Sequence, residues 1–378
     1  MKNYSRIFLV IVLAISFNAS FSACSKKEEA RNSTTQNTPE SAENLASVPV
    51  RLDSTTYLYE GTVGDKLRVN AQFAITNGRL DGTYRYHTGS CALSLRGSVQ
   101  ADNTVQITER DDLSRGGWEK DSNETVSGRL FGKLDPEKGI ITGTWTSKDG
   151  KKSFPFSLRA VAPFIMLKHS KLDASVHYPA FAAPELAALK DTLAQLSEKK
   201  YQSSVASIDT MRKEYAQEES MKDRMDMLSE HSQVTVVYIA PNIVSLLWMY
   251  DSYGGGAHGN YGYEGMTWKL ESGAVKRCKL TDIFRADTDF RAKISDILVA
   301  DLKKQQASLV VEGGISSFVD DLVKENLTFT VHPSGITFHF APYAVASYAE
   351  SSFETHITWK SLQDYLRSDF PLPLVKKM

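Results

Sequence analysis

The chain is 378 residues long, 42% hydrophobic, and carries 44 basic against 45 acidic side chains, a formal charge of −1. With both signs interspersed, that balance leaves no electrostatic footprint for nucleic acid. The length suffices for two or three domains with cores of their own.

At the N-terminus, Lys2 and Arg6 flank the start of an uncharged, mostly apolar run from Ile7 to Phe17, and residues 18–23 are small or polar for the most part. This is the layout of a secretory signal over residues 1–23. As helix the run would cover about 16 Å, roughly half of a bilayer's hydrocarbon core, which is too short to span it. Phe21-Ser22-Ala23-Cys24 resembles the lipobox of bacterial lipoproteins, with phenylalanine where leucine is usual. The resemblance implies cleavage before Cys24, palmitate-type lipid on its sulfur, and attachment to a membrane of the cell envelope, the outer membrane being favoured. Residues 24–49 then read as a flexible tether, because a stretch so poor in large apolar side chains cannot offset its conformational entropy. Ser25-Lys26-Lys27-Glu28-Glu29 also resembles the lysine/acidic run that sends lipoproteins to the cell surface in Bacteroidota. Loss of Lys2 and Arg6 with the signal leaves a mature chain of about −3 by formal count.

Residues 50–160 read as an all-β, meander barrel-like domain. Leu67, Val69, Ala71, Phe73 and Ile75 alternate with Arg68, Asn70, Gln72 and Ala74, the period of a half-buried strand. Asn77-Gly78 follows as a hairpin turn. The alternation returns at 80–86, 91–97, 105–107, 126–134, 141–145 and 154–158, which predicts seven or eight antiparallel strands. Gly82, Gly128 and Gly143 sit on the apolar side of their strands, which suits the bends of a closed barrel better than a flat sheet. Tyr84, Tyr86 and Trp145 either fill this core or line a calyx for a small apolar ligand.

Residues 161–378 mix helices and strands without a regular βαβ repeat, which predicts an α+β region with mixed or antiparallel sheet, divided at 240/241. Pro184 opens a helix carrying Leu186, Leu189, Leu193 and Leu196, and a second, polar helix is expected over 205–228. Strands are expected at 234–240, 243–253 and 266–270. Asp289 is placed to cap a helix with Ile294, Ile297, Leu298 and Leu302 on one face. A hairpin at 328–340 and a short last helix close the chain. Cys91 and Cys278 fall in different predicted domains and are expected as buried free thiols.

Gly254-Gly255-Gly256-Ala257-His258-Gly259-Asn260, then Leu280-Thr281-Asp282-Ile283-Phe284, then Gly335 to Ala349 with its Pro342-Tyr343 pair, occur in that order. Together they resemble the C-terminal extracytoplasmic domain of lysozyme-sensing anti-sigma factors, which is also an accessory domain of a peptidoglycan deacetylase. Val176-His177-Tyr178-Pro179 is similar to the companion domain that precedes it. The resemblance covers about 200 residues and implies a binding module for a lysozyme-like protein or for cell-wall glycan; neither the sigma-binding segment nor the deacetylase catalytic domain accompanies it.

Read for chemistry, the loop Tyr253, Gly254, Gly255, Gly256, His258 and Asn260 is the candidate binding site. The glycines suit positive φ or close backbone approach, and His258 is either a structural donor or an acid/base. The histidines show no HExxH or other metal spacing, and P-loop, dinucleotide and Gly-x-Ser-x-Gly fingerprints are absent, so neither metal nor cofactor is expected. The expectation is non-enzymatic binding of an envelope partner. Its alternatives are a glycan hydrolase or transferase using His258, and a carrier working through the barrel.

Overall fold

The computed structural model describes residues 47–87, 93–111, 125–171, 173–271, 273–313 and 327–370. The signal, Cys24, nearly all of the tether and Cys91 lie outside them.

Eight antiparallel strands form the barrel. They are β1 (Asp53–Val63), β2 (Leu67–Thr76), β3 (Arg79–Tyr86), β4 (Leu93–Val99), β5 (Thr104–Arg110), β6 (Val126–Asp135), β7 (Ile140–Ser147) and β8 (Ser153–Lys171). Each pairs with the next, and β1 pairs with β8 to close the cylinder, which removes the free edges of the meander. Asn77 and Gly78 both take positive φ at the β2–β3 turn, as that dipeptide predicts. Alternate residues point inward: Val69, Ala71, Phe73 and Ile75 of β2 are all buried. Tyr59 stacks on Phe73 with ring centroids 3.9 Å apart.

Among the described residues of the barrel, one acidic side chain lies inside. Glu109 is fully buried and accepts hydrogen bonds from Tyr86 Oη (2.8 Å), Ser127 Oγ (2.6 Å) and Trp145 Nε1 (3.3 Å). A buried carboxylate persists only with such donors. Tyr86 and Trp145 thus both point to this side chain, and the buried Tyr84 meets Tyr86 edge-on.

The strand β8 does not stop at the barrel. Residues 153–159 pair with β7, residues 156–164 with β1, and residues 164–171 with β9 (Ala174–Phe181). The expected boundary at 160/161 thus falls inside one continuous strand, where Ala160, Val161, Ala162 and Phe164 are buried. Neighbouring side chains divide between two cores here: Tyr57 and Tyr59 point into the barrel, while Leu58 between them points into the next core.

Parallel pairing of β9 with β10 (Ser229–Ala240) continues the sheet through β11 (Ile243–Tyr253), β12 (Asn260–Glu271) and β13 (Ala274–Arg277). The expected 240/241 boundary is the tip of the β10–β11 hairpin, whose two arms share one core. One face of this sheet, with Val176, Val234, Leu246 and Trp248, packs with Leu189 and Leu193 of α1 (Ala187–Tyr215). α1 runs unbroken through the point where two helices were expected and gives way to a 3₁₀ segment at Glu219–Met227.

A second sheet, β14 (Thr328–His332), β15 (Gly335–Phe340) and β16 (Phe353–Thr358), packs on the other face. Gly265 of β12 makes this possible, since a Cβ there would lie 1.8 Å from the carbonyl oxygen of Phe329. Ser245 Oγ also accepts the Val331 N–H at 2.9 Å. The one-turn helix α2 (Leu280–Ile283) and helix α3 (Phe290–Lys304) complete this core, α3 being capped by Asp289, which accepts from Ala292 N at 3.1 Å as expected. Cys278 is a buried free thiol, pushed up to about 12 by burial. Among the described residues, no helix is long and apolar enough to cross a membrane.

Candidate functional site

The glycine loop joins β11 to β12. Its carbonyls are held one after another by side chains. Tyr215 Oη donates to Gly254 O (2.5 Å), Arg224 Nη1 to Gly255 O (2.5 Å) and Tyr253 Oη to Gly256 O (2.9 Å). The end of α1 and the 3₁₀ segment after it therefore position the loop. Gly255 alone of the three leading glycines has positive φ (81°), and so alone needs glycine for its backbone. A Cβ on Gly256 would meet nothing within 4 Å.

His258 stands exposed at the turn of this loop. Its Nδ1 donates to the Gly259 carbonyl at 2.7 Å, so in the neutral ring Nε2 is the acceptor facing Tyr343 Oη, 3.3 Å away. Among the described residues, no carboxylate is a hydrogen-bond partner of His258. The imidazole instead lies flat on Tyr348, with centroids 3.8 Å apart and planes 20° from parallel. Tyr343 adds a third ring, 5.6 Å from Tyr348, and Tyr261 meets Tyr348 edge-on at 6.3 Å. Tyr261 Oη shares a 2.7 Å hydrogen bond with Ser351 Oγ, which ties β12 to the loop before β16. Asn260 is exposed beside this group, its carboxamide oxygen taken by Tyr261 N at 3.0 Å.

Tyr343 is 56% exposed and has φ of 69°. A bulky side chain in the left-handed region is strained, and such strain is characteristic of functional sites. Sequence reasoning placed Tyr343 within a family segment but did not name it, or Tyr348 and Tyr261, as site residues. The pairing of Pro342-Tyr343 with the glycine–histidine run was the only signal available.

A second polar cluster lies between barrel and C-terminal sheet. Arg85 of β3 forms a two-pronged ion pair with Glu354 of β16 (2.6 and 3.3 Å). Glu354 also accepts from His339 Nδ1 at 2.9 Å, and His339 Nε2 faces Thr330 Oγ1 at 2.8 Å. Thr337 bridges His332 (2.6 Å) and His356 (3.0 Å), while His87 meets Asn70 at 2.8 Å. Burial pushes His87 and His356 down to about 4 and His332 well below the usual imidazole range. Glu354 is held at about 2 because Arg85 and His339 outweigh its desolvation. A bulge at Val236/Tyr238 frees two backbone groups of β10, and the barrel satisfies both: Gln72 Oε1 accepts from Val236 N at 2.9 Å and Asn70 Nδ2 donates to Val237 O at 3.2 Å. Each of Arg85, His87, His332, His339, Glu354 and His356 makes at least one hydrogen bond within this seam. Among the described residues, no cluster of three His, Cys, Asp or Glu side chains is arranged to hold a metal.

Residues 281–360 match the family described as "Protein of unknown function (DUF3298)", and residues 167–261 match the one described as "Deacetylase PdaC". The C-terminal region carries both domains of that pair. Among solved structures, the chain is similar to a DUF3298 family member from Bacteroides fragilis, at 20% identity over 54% of this chain and 92% of that one, with a TM-score of 0.38. It is also similar to a DUF3298 family protein from Pseudomonas aeruginosa, at 14% identity over 55% of this chain and 95% of that one, with a TM-score of 0.34. Comparison with curated proteins found no match. The 167–261 match ends inside β12 and the 281–360 match begins inside α2, with β13 lying between the two.

Proposed function

We propose that this chain is a lipid-anchored protein of the cell envelope that binds a partner without transforming it, through the aromatic surface formed by His258, Tyr343 and Tyr348. One observation carries the reading: at the surface His258 is stacked on Tyr348, and Tyr343, exposed and held in a strained conformation, lies tilted against the same ring. Tyrosine gives a large, rigid, amphipathic contact at little entropic cost. A hydrolase would set His258 against a carboxylate that fixes its tautomer and takes up charge. Here that place is taken by the Gly259 carbonyl and a tyrosine hydroxyl. The anchor rests on Cys24 and its lipobox.

The test is retention of envelope components, lysozyme included, on immobilised full-length protein. Tyr343→Ala and His258→Ala should each lose the retained partner while the melting temperature stays within about 2 °C. Equal retention by both variants would show that the aromatic surface is not the site.

A further inference from the structure

The second sheet covers only part of the face on which it packs. On β11 Ser245 bonds to Val331 of that sheet and Leu247 is buried, whereas Met249, two residues further on the same side, is 43% exposed. Below that line Gln233 and Met249 are exposed while Ser175, His231, Asp251 and Tyr261 are half-buried, and the strand register fixes how they line up on this shelf. Ser175 of β9 pairs with His231 of β10, His231 with Asp251 of β11, and Asp251 with Tyr261 of β12. Residues paired in this way project to the same side. Four side chains therefore form one row across four strands, roughly 14 Å long at about 4.8 Å per strand. Exposed Gln233 and Met249, with His177, form the adjacent row.

The row is polar and poised. Ser175 Oγ lies 3.0 Å from His231 Nδ1. Asp251 is half-buried between His231 and Tyr261, and burial raises its carboxyl against the opposing pull of His231. The row ends at Tyr261, whose ring meets Tyr348 edge-on, so it runs directly into the cluster of Tyr348, His258 and Tyr343.

We infer that this shelf is a saccharide site, taking a chain of equatorially linked pyranose rings with one ring stacked on Tyr343 and Tyr348 and the next hydrogen-bonded along Tyr261, Asp251, His231 and Ser175. The inference rests on the proposed aromatic binding surface and specifies its ligand. Pyranose rings present flat C–H faces to aromatic rings and hydroxyls at their edges. The shelf offers the matching sequence, a flat aromatic end continuous with a line of carboxylate, imidazole and hydroxyl groups. The row's length suits a short oligosaccharide rather than one sugar. Both signs of charge are sparse on it, which argues against a strongly charged ligand.

The experiment is calorimetric titration of the full-length protein with cellotetraose and with N,N′,N″,N‴-tetraacetylchitotetraose. Saturable binding of at least one is expected. Tyr343→Ala and Asp251→Ala should each weaken it at least tenfold, and Phe131→Ala, an exposed aromatic change on the barrel, should leave it unchanged. No saturable binding of either sugar overturns the inference, as does binding that Tyr343→Ala and Asp251→Ala leave intact. Capture of an envelope protein that is lost in Tyr343→Ala, with no response to either sugar, overturns the saccharide assignment while the aromatic surface stands. Failure of Tyr343→Ala to affect any ligand removes both.

Discussion

Arg85 and Glu354, 269 positions apart, clasp the barrel to the last strand of the chain through paired hydrogen bonds. Both side chains retain about one-sixth of their exposure (16% and 17%). Arg85→Met should therefore cost on the order of 2–3 kcal/mol, below the range for a fully buried pair stripped of one partner. Denaturant unfolding checks this, and a change below about 0.5 kcal/mol would mean the pair is spectator chemistry.

The same seam makes the fold acid-sensitive. His87 and His356 sit at about 4 in the folded chain, against about 6.5 when unfolded. Between those values the unfolded chain binds more protons, so their stabilisation is complete above about pH 6.5 and is lost as pH falls toward 4. Glu354, held at about 2, adds stability that is lost below about pH 4.5. The two effects have the same sign and run in succession. A melting temperature that is flat from pH 7 to pH 4 would contradict this, and replacing His87, His332 and His356 together by apolar residues should flatten it.

At the glycine loop, Gly255→Val places a β-branched residue at φ of 81° and should cost about 1–3 kcal/mol. Gly256→Ala, at an open position, should cost well under 1 kcal/mol. His258→Ala should be mild for stability, because the ring is exposed and its contacts lie at the surface. Thermal unfolding of the three variants gives the ordering, and a His258→Ala protein less stable than Gly255→Val would reverse it.

Much of the barrel was legible in the sequence, because period-2 alternation and the Asn77-Gly78 turn are local signals of antiparallel pairing. Strand β1 was missed, since residues 53–63 carry polar side chains on both faces, and so was β9, whose alternation is short. The length of β8 was equally invisible: its second half pairs with β1 and β9, partners that periodicity cannot name. The loop at 254–260 stood out by composition, and Gly255 by its role. The open row of Ser175, His231, Asp251 and Tyr261 could not, because register across four strands is a tertiary fact. Exposed polar residues in strands carry no label of their own.

Cys24→Ala should abolish palmitate incorporation and release the protein from the membrane fraction. Metabolic labelling that survives the substitution would remove the lipoprotein reading of Phe21-Ser22-Ala23-Cys24.

Because β8 runs unbroken from the barrel into the sheet that follows it, cutting the chain there divides a strand. A fragment beginning at 161 would keep the family-like region yet lose the β1 strand beside it, exposing part of one flank of β8 and emptying the place filled by Leu58. Raw edges with apolar side chains such as Ile165 and Leu167 alongside invite pairing with other copies. Such a fragment should express as aggregate, whereas one that begins near Val48 should remain monodisperse. Protease digestion of the intact chain should likewise spare residues 160–163. In this chain, the unit expected to withstand excision is the barrel and its successor together.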